Sequence, residues 1–313
     1  MSHHVLTINT AGVFLRVSRG FIICQEKNNL DKKIPISDVK TVIISTPQVS
    51  FSNQCISRML ENDIVILHCA ENYQPIGWTV GLEKVVRRDA FFNQIQASEE
   101  FCNKLWNQIA FCKIHNQLDL LSDLGFELNI EVSDNAHIEE ARVARYYWER
   151  YFGTISRVLN RERRNAEKFE NKALNYGYAV IKTLIYRAIL IHGLLPALGI
   201  KHKSRFHAHP LVYDLIEPFR AFVDLLLAHY IIQNKKQIDD LIASELIDED
   251  EVIFTNWIKF FMTGLVEYKL KDNNLNYKIL DFVDMFVLSV MKVYENLEVN
   301  SLKLPILKTY RKD

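Results

Sequence analysis

The chain has 313 residues, 49% of them hydrophobic and 24% charged, with 38 basic and 38 acidic side chains that cancel to zero net charge. This allows two domains and a sizeable core, and it excludes a basic surface spread over the whole molecule; nucleic acid would have to meet local clusters of charge. Only ten glycines and seven prolines are present, which argues for long helices over a turn-rich all-β fold.

The N-terminal residues "MSHHVLTINT" lack the apolar run and cleavage site of a signal peptide. The first 80 or so residues read as strands. "VLTIN", "VFLRV", "FIICQ", "TVIIS" and "IVILHC" are short, β-branched and bounded by turn residues, with one helix predicted at "NQCISRMLEN". From "LEKVVRRDAFF" onward the pattern is helical. The expected fold class is α+β, with a β-rich domain over residues 1–85 and a larger all-α domain over 86–313. The apolar run from Ala179 to Leu195 is broken by Lys182, Arg187 and His192, and so predicts a buried helix, not a membrane span. Cys24, Cys55, Cys69, Cys102 and Cys112 are scattered, odd in number and without C-x-x-C spacing, which predicts reduced core thiols in a cytoplasmic protein.

Two charge blocks interrupt the helical part. Residues 142–164 hold Arg142, Arg145, Arg150, Arg157, Arg161, Arg163 and Arg164 against two glutamates, and residues 239–251 hold seven acids and no base. Solvated helix faces explain both blocks; arginine also suits bidentate phosphate contacts.

"NAHIEEARVARYYWERYFG" carries a carboxylate where the helical wheel puts apolar residues. Ala136, Glu140, Val143, Ala144, Tyr147 and Tyr151 form one stripe, and Glu139 lies off it. Glu140 is therefore expected either to pair with a core arginine such as Arg187 or to bind a metal. "GIKHKSRFHAHPLVYDLIEPFR" supplies further candidate ligands. Asp214 and Glu217 are three apart, close to a capping box, yet Pro218 spoils that reading and predicts a kinked first turn pointing Glu217 inward. His202, His207 and His209 are equivalent on spacing alone, and a zinc hydrolase using all three stays open, although no supporting cysteine or H-E-x-x-H accompanies them.

Leu174-Asn175-Tyr176-Gly177-Tyr178, then Gly193-Leu194-Leu195-Pro196-Ala197-Leu198-Gly199, then His202, resemble the signature of the CRISPR-associated integrase of spacer acquisition. "EARVARYYW" and "DLIEPFR" resemble the family's acidic segments, the latter most like the branch accompanying single-effector, type II systems. Two departures are Ala141 after Glu140, where many members have glycine, and a long loop from His202 to Asp214. The resemblance implies a metal-dependent DNA endonuclease/integrase that joins spacer 3′-hydroxyl ends to the CRISPR repeat by transesterification. It implies Glu140, His202 and Glu217 as catalytic metal ligands for Mg²⁺ or Mn²⁺, with Asp214 as a fourth ligand or an orienter. Arg142, Arg145, Lys201, Lys203, Arg205 and Arg220 are then expected to contact DNA, and Tyr147, Asn175 and Tyr176 to line the site. A homodimer joined through the β-domain, double-stranded DNA and a small ferredoxin-like partner are implied as well. The competing readings are a metal-dependent nuclease on branched or single-stranded DNA, with the same ligands, and a non-catalytic helical scaffold.

Overall fold

The computed structural model describes residues 4–26, 30–70, 75–81, 88–133, 136–155, 168–202, 208–238, 249–267, 269–272, 275–307 and 310–311. The N-terminal part consists of β1 (His4–Ile8), β2 (Val13–Ser18), β3 (Phe21–Gln25), β4 (Lys32–Pro35), β5 (Val39–Ile44), β6 (Val49–Phe51), α1 (Asn53–Glu61), β7 (Val65–Cys69) and β8 (Pro75–Thr79). The strands form two four-stranded sheets, ordered β1-β5-β7-β8 and β4-β3-β2-β6. β1, β5 and β7 run parallel, and β8 is an antiparallel edge.

"VKTVII" in β5 is buried along almost its whole length, as expected of a strand covered on both faces. The strand period of two divides its side chains. Val42 and Ile44 of β5, with Ile66 of β7, face a core shared with Leu15, Ile22, Cys55 and Met59, whereas Ile43 and Leu67 face the helices. α1 is the helix predicted at "NQCISRMLEN", capped by the Ser52 hydroxyl, which accepts from Cys55 N at 3.2 Å.

The helical part comprises α2 (Arg88–Gln96), α3 (Glu99–Asp123), α4 (Ala136–Ile155), α5 (Phe169–Ile191), α6 (Pro210–Leu215), α7 (Arg220–Gln233), α8 (Glu249–Glu267) and α9 (Ile279–Asn296). The β-then-helix order matches the expected class. The helical region also carries a small sheet, β10-β9-β11 (Leu275–Lys278, Lys269–Asp272, Tyr310–Arg311), too short and polar to announce itself as strands. The proposed boundary between residues 85 and 86 lies outside the described residues.

α5 is the central helix. It is buried on almost every side, which accounts for its largely apolar sequence, and no helix among the described residues is long and apolar enough to cross a membrane. At Gly177 a methyl group would collide with Val223 Cγ1, so the glycine of "LNYGY" lets α5 pack directly on α7. Polar ties join the sheet to the helices: Lys40 Nζ meets Asp284 Oδ2 at 2.7 Å, and Trp78 Nε1 donates to Thr183 Oγ1 at 3.0 Å. All five cysteines are free and buried, and burial pushes the Cys69 and Cys112 thiols up to about 12.

Candidate active site

The interruption at Pro218 shapes the site. α6 ends at Leu215, a single 3-10 turn spans Glu217–Phe219, and α7 begins at Arg220. Proline cannot donate to the preceding turn, so the chain tightens there instead of continuing as one helix. α3 fastens this turn from outside, because Asn116 Nδ2 donates to Pro218 O at 2.9 Å. Glu217 is thereby turned inward and is 6% exposed.

Its carboxylate meets two cations. Arg220 Nε donates to Glu217 Oε1 at 2.9 Å, and Lys113 Nζ of α3 lies 2.7 Å from Oε2. Burial alone would raise the Glu217 carboxyl, but the Arg220 and Lys113 charges outweigh it and hold the group at about 2. The same Lys113 ammonium lies 2.6 Å from Glu140 Oε1 of α4. Two carboxylates from distant chain segments therefore share one cation.

His202 stands beside them. Its Nδ1 is 2.5 Å from Asp214 Oδ1, and Asp214 also accepts from the backbone N–H of Ile200 (2.5 Å), Lys201 (3.0 Å) and His202 (3.2 Å). This wrapping of loop 200–202 around one carboxylate requires Gly199. A methyl there would meet His202 O and stand 2.9 Å from Asp214 Oδ2. The final glycine of "GLLPALG" thus has a steric reason. The Asp214 hydrogen bond raises the His202 pKa, burial opposes it, and the charges of Asp214, Glu217 and Glu140 add to the rise. Trp106 packs edge-on against the imidazole, with ring centroids 6.0 Å apart.

Several expectations need correction. Asp214 is fully buried, and both of its oxygens are taken by the loop and His202, so it orients the histidine and is not placed as a fourth ligand. Its place inside α6 agrees with the reading that Pro218 spoils a capping box. Arg187 is not the partner of Glu140; it donates to Asp63 O at 2.8 Å and pairs with Asp284. Glu139, not Glu140, is the more buried of the two, because the wheel ignored the segment before α4: Glu139 accepts from Ser133 Oγ at 2.8 Å and pairs with Arg142. Tyr147 does not line the ligand cluster. It is buried, and its hydroxyl donates to Asp224 Oδ2 at 2.6 Å. Tyr176 is core, packed against Phe254 and Phe261, while Asn175 is half-buried.

The expected DNA-contacting cations divide. Arg145 and Lys201 are exposed, Arg142 is engaged by Glu139 and the Glu131 carbonyl, and Arg220 is committed to Glu217. Lys203, Arg205 and His207 lie outside the described residues, as do Arg157, Arg161, Arg163 and Arg164. The acidic block is described only as the start of α8, Glu249–Glu251. His209 packs against Tyr186 (centroids 4.7 Å) and Trp78 (5.4 Å) at the junction of sheet and helices, so the imagined three-histidine zinc site has no support from it. Lys113 and Lys182 were missed. Lys113 is on the stripe of Trp106, Ile109, Ala110, Gln117 and Leu120, so the wheel argument used for Glu140 would have found it. Lys182 of α5 packs its ammonium over the Tyr213 ring at 5.1 Å; burial, then the Arg220 charge, lowers it to about 8.

The donors suit a hard divalent cation, being two carboxylates and one imidazole. The pair already holds a cation in the form of the Lys113 ammonium, and the buried Glu217 Oε2 meets that ammonium without a well-aligned hydrogen bond. With Lys113 so placed, no trio of His, Cys, Asp or Glu among the described residues closes around a common point. Asp214→Asn should weaken the fixing of His202 and cost about 10–100-fold in Mn²⁺ affinity, read by titration of the DNA-free protein.

The sequence model of the family described as CRISPR associated protein Cas1 matches residues 6–129 and 128–245, which include Lys113, Glu140, His202, Asp214 and Glu217. The chain belongs to the Cas1 family. A relative named CRISPR-associated endonuclease Cas1, from Neisseria meningitidis serogroup C (strain 8013), is 26% identical over 316 residues, covering 97% of this chain and 96% of the relative. A CAS1 protein from Thermotoga maritima superposes with a TM-score of 0.75 at 17% identity, covering 93% of this chain and 96% of that one. A casposase bound to its integration product does so with a TM-score of 0.76 at 16% identity, covering 95% and 92%. At these identities the two structures establish the Cas1 fold, in which β-sheets precede the helical region that holds Glu140, His202 and Glu217.

Proposed function

We propose that this Cas1-family chain is a divalent-metal-dependent DNA integrase that joins a free 3′-hydroxyl to a phosphodiester by transesterification. The observation that carries the proposal is the meeting of Glu140 and Glu217 around one cation, with Asp214-anchored His202 beside them. Glu140, Glu217 and the His202 Nε2 are the groups that would hold Mg²⁺ or Mn²⁺. Bound there, the ion supplies a lowered pKa for the attacking hydroxyl and draws charge from the phosphoryl oxygens.

The protein's own groups do the rest. Asp214 fixes the imidazole by its Nδ1, leaving Nε2 as the ring atom that would take the ion. Arg220 neutralises Glu217 from behind and keeps it ionised. Lys182 places positive charge near Arg220, and exposed Lys201 and Arg145 offer phosphate contacts toward solvent. The double-stranded DNA substrates are a spacer precursor and a CRISPR repeat. Assembly is as a homodimer, with the β-domain as the contact, together with a small ferredoxin-like adaptation partner, in the cytoplasm. The named activity of the Neisseria relative and the integration product bound by the casposase support this reading.

A strand-transfer assay with a supercoiled target and a free 3′-hydroxyl donor tests it. Joined products are expected from the wild-type chain, and cut products alone would favour the nuclease. His202→Ala should abolish joining while DNA binding, measured by a mobility shift, stays nearly unchanged. Equal loss of both would make the histidine structural.

A further inference from the structure

Lys113 has no role in the scheme above, yet it holds the centre of the site. Its side chain is 12% exposed, and among the described residues its ammonium is the group that bridges Glu140 (2.6 Å) and Glu217 (2.7 Å). Neighbouring cations do not substitute for it. Arg220 is bound to the other oxygen of Glu217 and lies over the Tyr178 ring at 4.8 Å, and Arg142 is bound to Glu139. Without Lys113, two carboxylates would face each other at close range in a poorly solvated place, where like charges repel strongly.

We infer that Lys113 is a resident counter-cation: it holds Glu140 and Glu217 together in the metal-free protein and withdraws when a divalent ion takes its place. The inference rests on the proposed metal site and extends it to how that site is kept ready and how tightly it binds. A +2 ion between the same two oxygens would lie within contact distance of the ammonium, so the two cations cannot both stay. Arg220 is held by two nitrogens on one oxygen, whereas Lys113 is a point charge on a flexible four-carbon stem and is the one able to leave. Metal affinity is therefore reduced by the work of displacing Lys113. In return, the carboxylates stay in place before metal arrives, and a binding site need not be built from a repelled pair. Lys113 is a positioning residue in this account, acting on the ligands and not on DNA.

The test is Mn²⁺ binding by the purified full-length chain without DNA, with free Mn²⁺ followed by electron paramagnetic resonance. Wild type, Lys113→Met, Lys113→Arg and Glu217→Gln are compared, and unfolding temperature is recorded in EDTA and with Mn²⁺. Lys113→Met should bind Mn²⁺ roughly tenfold more tightly or better. It should also unfold at a lower temperature in EDTA and regain the difference with Mn²⁺. Lys113→Arg, which keeps the charge, should not gain affinity. Equal or weaker Mn²⁺ binding by Lys113→Met, with Glu217→Gln still losing it, would overturn the counter-cation while leaving the metal site intact. Binding that Glu217→Gln does not change would overturn both. Should Lys113→Met fail to fold in EDTA, Lys113→Gln is measured in its place, and failure of both to recover with Mn²⁺ would also overturn the inference.

Discussion

Glu217→Gln should lower strand transfer by more than about a hundredfold and destabilise the protein by about 3 kcal/mol. The substitution keeps shape and removes charge at a side chain 6% exposed. Arg220 then loses its nearest anion and keeps the Tyr178 ring and the Asp224 charge, and Lys113 keeps Glu140. A buried cation left without its anion is costly, because desolvation is no longer offset. The pH dependence gives an independent check. The folded carboxyl titrates at about 2, below the ordinary carboxylate range, so the folded state binds this proton more weakly than the unfolded chain does. Its contribution is fully present above the ordinary range and is lost as pH falls toward 2. Acid unfolding of the wild type should therefore include a component that Glu217→Gln lacks. Denaturant unfolding of both proteins between neutral and acid pH measures it; parallel curves would contradict the account. Glu140→Ala should cost less stability in EDTA, since Glu140 is 31% exposed and Lys113 retains Glu217.

Asp224→Ala should be the more destabilising change, by about 3–5 kcal/mol, although Asp224 touches none of the proposed ligands. Asp224 is fully buried on α7 and accepts from the Tyr147 hydroxyl of α4 and the Tyr178 hydroxyl of α5, while its backbone carbonyl accepts from Tyr151 at 2.7 Å. Removing the carboxylate leaves two phenol hydroxyls buried without that acceptor and opens a void among tightly packed rings. The consequence reaches the site, because Tyr178 is the ring under the Arg220 guanidinium. Strand transfer per folded molecule should fall with stability. Asp224→Asn, which still accepts one hydroxyl bond, should lose less of both. Equal stability of Asp224→Ala and wild type in chemical denaturation would contradict this.

The strand segments were legible because β5 and β7 are short, β-branched and apolar on both faces, and α5 because its apolar run is too long for a strand and too interrupted for a membrane span. The carboxylate on the apolar stripe of α4 and the proline after Glu217 singled out by physical argument two side chains that the fold brings to one lysine. The burial order of Glu139 and Glu140 went the other way, because the wheel counts only a helix's own faces, and Ser133 closes over Glu139 from outside it while Arg142 pairs with it from one turn along. Partner choice was not legible. Nothing in the spacing says that Glu140 meets Lys113 from a helix 27 positions away, or that Arg187 turns to Asp63 and Asp284. The first pairing follows from how α3, α4 and the Pro218 turn converge, and the second from how α5 packs against the sheet and α9, which local sequence does not encode. Asp214 and Glu217 looked like neighbours on one face; the break between α6 and the 3-10 turn sends them to different tasks.

The central claim is that Glu140, His202 and Glu217 grip one divalent ion at the place Lys113 now fills. An anomalous difference map from crystals of this protein soaked in Mn²⁺ tests it most directly. The account predicts a single strong peak bounded by the two carboxylates and the His202 Nε2, with the lysine ammonium swung aside. Manganese bound elsewhere, or an unmoved ammonium with no peak between the glutamates, would contradict it.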